Sequence, residues 1–228
     1  DDIYLRDNNG VKRFQPSTGK VTLIEGTEGA RKNTMVVADG KVFATVGTSV
    51  VVIEAGKDEI ANTIEFEDRV SGVIKASDGN ILVSDGSGNI TKVDVKTYTK
   101  LGSSKVSDEA KSVLSASFAA APSITAKGDT LYMSGLSSKI YRHVFGSDKT
   151  ELMVDAKDMV DNVGIIYNTC AVHPITGEVY LNSIKGYSDY KTNNITVFDF
   201  SGDEPKVSVN YENYTAFPAG TFFTYNFE

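Results

Sequence analysis

The side chains able to carry metal, acid–base or nucleophilic chemistry are few and scattered along these 228 residues, with only two histidines, His143 and His173, and one cysteine, Cys170. Metal sites and general bases ordinarily draw on clustered His, Cys or carboxylates. His143 sits inside the alternating run YRHVF and His173 in the tight turn HPITG, so both are read as structural. Cys170 lies in an apolar strand and reads as a small buried hydrophobe. A single thiol leaves no partner for an internal disulfide or a Cys-based metal centre. No G-x-S-x-G elbow is present, so a serine nucleophile of that kind lacks support. Asp85 to Asn89, DGSGN, has the acid and glycines of a calcium loop but not its closing Glu, and fits a hairpin turn. Asp68, Asp158 and Asp161 are the acids that connecting segments could lean toward a shared mouth. Paired there, they would suit a hydrolase or lyase acting on a carbohydrate or lactone. The expectation is no catalytic residue, no metal and no cofactor.

A second constellation has a different chemistry. Tyr167, Asn168, Tyr187, Asp189, Tyr190, Lys191, Tyr214 and Phe217 fall in three connecting stretches. A Tyr ring can bury its apolar body while its hydroxyl stays hydrogen-bonded, which suits a glycan, peptide or protein partner. These eight are the candidate ligand-binding residues, against the plainer reading that Tyr at loop–strand junctions fills gaps between sheets.

The elements that must position them come from a repeat. NTMVVADGKVFATV, GVIKASDGNILVSD, SITAKGDTLYMSG and TCAVHPITGEVYLN align on Gly40, Gly79, Gly128 and Gly177, which are 39, 49 and 49 residues apart. In each, an apolar run meets a turn glycine and a second alternating run follows, a hairpin signal. A third and a fourth run complete each unit, giving strands a to d at the spacing of a four-stranded propeller blade. The N-terminal unit has only three runs, Asp2–Asp7, Val11–Phe14 and Lys20–Glu25, while Thr221–Glu228, TFFTYNFE, is a run without a partner.

Pairing the two closes a ring and removes raw sheet edges. The expected fold is therefore all-β, a five-bladed β-propeller closed by the C-terminal strand pairing with the N-terminal strands; the alternative is a fragment of a six- or seven-bladed propeller. As a single domain, its blades take 221–228 plus 1–30, 33–68, 72–107, 122–156 and 169–213.

Ile81–Asp94, ILVSDGSGNITKVD, resembles NHL and YVTN propeller repeats. His173–Gly202, HPITGEVYLNSIKGYSDYKTNNITVFDFSG, resembles secreted bacterial YncE-like propellers. What the resemblance implies is an extracytoplasmic protein, periplasmic or at the cell surface, with a lipid anchor on a removed N-terminus compatible with it. The chain opens at DDIYLRD with neither an initiator Met nor a signal peptide, and is read as trimmed or mature.

Strands alternate in direction, so a–b and c–d turns share one rim and b–c and d–a connections share the other. The first set is tight. The second holds every long connection: Ser107–Ser123, Asp155–Asn168, Lys185–Asn193 and Asn213–Gly220. Long connections in compact folds commonly carry function, so the site is expected on that rim. Within it, Ser107–Ala121 reads as a helix with Ser107 as N-cap, an apolar face of Val113, Leu114 and Phe118, and Pro122 as its stop. A net charge of −7 and the absence of a basic block exclude non-specific nucleic-acid binding. No apolar run is long enough to span a membrane. A monomer is expected.

Overall fold

Two-residue alternation punctuated by glycine turns yields nineteen strands in the computed structural model, which describes residues 2–7, 9–28, 30–114 and 123–223. The first sheet holds β1 (Ile3–Asp7), β2 (Gly10–Gln15) and β3 (Lys20–Leu23). The second is β4 (Ala30–Ala38), β5 (Lys41–Val46), β6 (Ser49–Glu54) and β7 (Asn62–Glu65). β8 (Val70–Lys75), β9 (Ile81–Asp85), β10 (Asn89–Val93) and β11 (Lys100–Lys105) form the third. The fourth has β12 (Ser123–Lys127), β13 (Thr130–Gly135), β14 (Ser137–Val144) and β15 (Thr150–Asp155). The fifth has β16 (Thr169–Val172), β17 (Val179–Gly186), β18 (Asp189–Asp199) and β19 (Lys206–Glu212). All pairings are antiparallel between sequence neighbours, and the five sheets are arranged as a five-bladed β-propeller. The aligned turn glycines Gly40, Gly79, Gly128 and Gly177 all have positive φ, the left-handed conformation that a hairpin turn asks of them.

Successive side chains of a strand face opposite neighbours, so each sheet is apolar on two sides. On β5, Val42 and Ala44 join Val11 and Ile24 of the first sheet, while Phe43 meets Val73 and Val83 of the third. Leu82 and Ile90 then pack with Leu131 and Met133, and Tyr132 and Ile140 with Leu181 and Phe198. Cys170 belongs to this last cluster, its thiol 3.8 Å from the Tyr132 carbonyl. Thr45, Ser84, Ser134 and Asn182, one on the second strand of each four-stranded sheet, add a buried polar layer. Within it Ser84 bonds Ser71 at 2.9 Å, and Asn182 donates to Thr169 at 3.0 Å. The first sheet differs: Ile3, Leu5, Val21 and Leu23, which share one of its faces, are 42 to 55% exposed.

The predicted closing strand is described only at Thr221–Phe223, which is not in a strand; residues 224–228 lie outside the described residues. Thr221 bonds Asn182 at 3.1 Å and the Phe223 ring meets the His173 and Tyr180 rings edge-on, so this stretch lies over the first two strands of the fifth sheet. The expected helix is present as α1, Asp108–Leu114, with Ala110, Val113 and Leu114 buried. Ser107 caps it through a 3.3 Å bond from the Ala110 N–H. Phe118 lies outside the described residues.

His143 is fully buried where the third and fourth sheets meet. Its Nε2 is 2.5 Å from the Ser104 hydroxyl and its Nδ1 3.0 Å from that of Thr150. Ser104 donates onward to the Ser147 carbonyl and Thr150 accepts the Ser107 N–H, each at 3.0 Å. The chain assigns a neutral ring whose Nε2–H donates to Ser104 and whose Nδ1 accepts from Thr150. Burial lowers the pKa of His143 below its ordinary value. The unfolded chain therefore binds this proton more readily, and the stability contributed by the neutral ring is fully present above the ordinary value of about 6.5 and is lost progressively as pH falls from there through the lowered folded value. Melting temperature measured from about pH 7.5 to about pH 5 should fall more steeply for the native chain than for His143→Gln, which starts lower and changes less. Equal slopes would remove His143 as the cause.

Candidate functional site

The fifth sheet outgrows the others at the long-connection rim. The stretch Lys185–Asn193, expected as a loop, is instead a continuation of the β17–β18 hairpin, with Gly186 paired to Asp189 and only Tyr187 and Ser188 in the turn. Two turn residues suffice because a short polar tip lets both strands run on past the core. The connection from Asp155 to Asn168 is likewise partly ordered, with a 3-10 turn at Ala156–Asp158 that buries Ala156.

Asn193 and Asn194, both buried, fix this rim. The Asn193 amide donates to the carbonyls of Tyr190, Lys191 and Thr215 at 3.2, 3.0 and 2.9 Å. Its backbone exchanges bonds with Asn213, whose own N–H reaches the Asn193 carbonyl at 2.8 Å. Asn194 donates to the Asp161 carbonyl at 3.0 Å, drawing in the 155–168 connection. Gly164 completes the join, its N–H 2.9 Å from the Ile184 carbonyl. A Cβ on Gly164 would stand 2.4 Å from that carbonyl oxygen and 2.5 Å from the next, so only glycine fits. The Asn-Asn pair leading into the apolar run Ile195–Phe198 was the available sequence signal for these positioning residues, and it went unused.

On this frame four of the expected rings come together. Tyr167 stacks on Tyr187 with centroids 6.4 Å apart and meets Phe217 edge-on at 5.9 Å; Tyr190 lies 6.2 Å from Phe217. Tyr167 adopts φ of +58°, a backbone strain of about 1–3 kcal/mol that the surrounding contacts must hold. Tyr214 pairs instead with Tyr211, 5.8 Å away. Exposure is high: 75% for Tyr187, 74% for Tyr214, 42% for Tyr190 and 41% for Phe217. Beside the rings, Asp189 accepts from Thr192 at 2.8 Å and pairs with Lys185 at 3.3 Å. The Thr192 hydroxyl, then Lys185, hold the Asp189 carboxyl below its ordinary range. Lys191 is exposed. Asn168 is buried, its amide donating to the carbonyls of Ser137 and Gly164 at 2.9 Å each, so it braces the loop from beneath.

Asp68 accepts from the Ser87 hydroxyl at 2.5 Å and the Arg69 N–H at 2.6 Å, and those two bonds lower its pKa. Asp158 and Asp161 sit exposed on the 155–168 connection. Among the described residues no three His, Cys, Asp or Glu side chains are grouped so that they could hold a metal ion. No described helix is long and apolar enough to cross a membrane.

The rim's dependence on Gly164 is open to test. Gly164→Ala should cost about 1–3 kcal/mol of stability and accelerate amide exchange at Ile184 and Lys185 above all, read by hydrogen-exchange mass spectrometry. Uniform loosening across all five sheets would contradict a local role.

Comparison with solved structures gives the same architecture at low identity. A quinoprotein alcohol dehydrogenase-like protein from Bacteroides thetaiotaomicron aligns with TM-score 0.59 and 16% identity over 90% of this chain and 51% of its own. PorZ of Porphyromonas gingivalis, described as an essential bacterial surface component of the type-IX secretion system, aligns with TM-score 0.54 and 11% identity over 90% of this chain and 25% of its own. A protein of unknown function from Bacteroides caccae gives 0.60 and 12%, over 91% and 71%. This likeness is one of fold, and the chain spans about half and a quarter of the first two. No curated protein matches. The profile of one family covers residues 1–224, and the chain belongs to that family, the domain of unknown function DUF5074.

Proposed function

We propose that this chain is a binding or scaffold propeller working outside the cytoplasm, at the periplasm or cell surface, and that the aromatic rim of its fifth sheet engages a glycan, peptide or protein partner. The observation that carries the reading is the contact of Tyr167, Tyr187, Tyr190 and Phe217 on a rim where the last three remain substantially exposed. A folded chain gains by burying such rings, and leaving a group of them at the surface marks a contact site. Aromatic side chains supply large contact area with little entropy to lose, and Asp189 and Lys191 add polar contacts at the edge. The open form of this surface suits a polymer lying across it more than a small molecule enclosed in a pocket. PorZ's surface location, in a protein of like fold, supports the placement outside the cytoplasm. The YncE and NHL character of the repeat motifs belongs to the same reading.

Glycan and peptide arrays probed with the native chain should return a ligand class that Tyr187→Ala with Tyr190→Ala weakens by about tenfold or more, as for hot-spot aromatics. Both side chains are exposed, so the double variant should melt at the native temperature. Undiminished binding in the double variant, and again with Phe217→Ala added, would refute this face as the contact surface.

A further inference from the structure

The opposite rim, where the tight turns emerge, holds a cleft of about 360 Å³ between the fourth and fifth sheets. That volume lies at the small end of the roughly 300–1,000 Å³ typical of ligand pockets. One wall carries Lys127, Thr130 and Tyr132, and the other Thr176, Asp199 and Ser201. The cleft shares no residue with the aromatic rim.

The two walls differ in charge, and both charged groups are anchored with capacity to spare. Lys127 reaches across from β12 to donate one hydrogen bond to the Ile175 carbonyl at 2.8 Å. An ammonium has three donors, so two stay available. Asp199, at the end of β18, accepts the Ser201 N–H at 2.8 Å and also interacts with the Ser201 hydroxyl, and a carboxylate, with about four lone-pair sites, keeps room for a further donor. Bonds from Ser201 hold the Asp199 carboxyl below its ordinary range, so it stays ionised near neutral pH. Neither group takes part in an ion pair among the described residues. Lys206, opposite Asp199 in the β18–β19 ladder, also acts on its carboxylate, while two other nearby charges are spent. Arg142 pairs with Glu151 at 2.6 Å, and Glu178 accepts from Thr176 and Ser208 at 3.1 and 2.8 Å.

The floor is apolar. Tyr132 and Phe200 stack on each other at 6.0 Å with planes 17° apart, and Phe200 stacks on Phe198 at 5.8 Å. Tyr132 and Phe200 both line the cleft and are almost wholly buried, so they offer it only a small apolar surface. An aliphatic or aromatic side chain can rest there, whereas a sugar ring would want an open face.

We infer that this cleft binds a small zwitterion, a free α-amino acid with an apolar side chain, its ammonium on Asp199, its carboxylate on Lys127 and its side chain against Tyr132 and Phe200. Charge-assisted hydrogen bonds at both ends would fix the ligand's direction. The hydroxyl of Thr130 is a further partner for its polar atoms.

The test is calorimetric titration of the native chain with leucine and phenylalanine, alongside N-acetyl-leucine, leucinamide and glucose. Free amino acids should bind, and each capped form about tenfold or more weakly, because capping removes one charged contact. Asp199→Asn should abolish the preference for leucine over N-acetyl-leucine, and Lys127→Ala the preference over leucinamide. Both residues are at least partly exposed, and unchanged melting temperatures would confirm folded variants. No saturable binding of free amino acids, equal binding of capped and free forms, preferences unmoved by either substitution, or binding of glucose in their place would each overturn the inference. Array binding at the aromatic rim should be unaltered in both variants, so this proposal and that of the rim can fail separately.

Discussion

Every interior sheet in this chain is apolar on both faces, and water is kept from both only if it is sandwiched between two neighbours. That constraint dictates the architecture. Val42 and Ala44 look back to the first sheet while Phe43 looks forward to the third, and the same division recurs at Leu82 against Val83 and at Tyr132 against Leu131. A two-layer sandwich would leave half of these side chains in water, at a cost of roughly 1.5–3 kcal/mol for each large one. Radial stacking leaves none of them there. The buried hydroxyls and amide of Thr45, Ser84, Ser134 and Asn182 interrupt the apolar stack at one level, where Ser84 and Asn182 are met by Ser71 and Thr169.

Most of this was legible before any coordinates. Alternation and turn glycines are local properties, and they located five units in the right order, whereas the strand expected to complete the first from the C-terminal stretch is not one at Thr221–Phe223. The helix after Ser107 followed from its cap and its first-turn acids. Less legible was the hairpin at Lys185–Asn193. Its residues, KGYSDYKTN, are polar and turn-rich because the strands there project beyond the core, so the hydrophobic period that identifies a strand is missing where the ladder continues. Pairing is carried by backbone bonds, which composition does not report.

The candidate site shows the same division. Aromatic residue types drew attention to Tyr167, Tyr187, Tyr190 and Phe217, and three of the connections do meet. What brings them together is the amide network of Asn193 and Asn194 and the close approach at Gly164, which are properties of backbone geometry. Asn168, chosen by type, works from beneath the surface. The cleft at Lys127 and Asp199 escaped sequence reading altogether, since its walls come from strands of different sheets and its tight turns carry no length signal.

Cys170 gives the molecule a built-in chemical gauge. It is the sole thiol of the chain, and it is shut between the fourth and fifth sheets, beneath the Tyr132 carbonyl. An alkylating reagent in solvent can reach it only while those two sheets part. Its labelling rate therefore counts openings of a single seam, in a protein whose other seams stay silent to the same reagent.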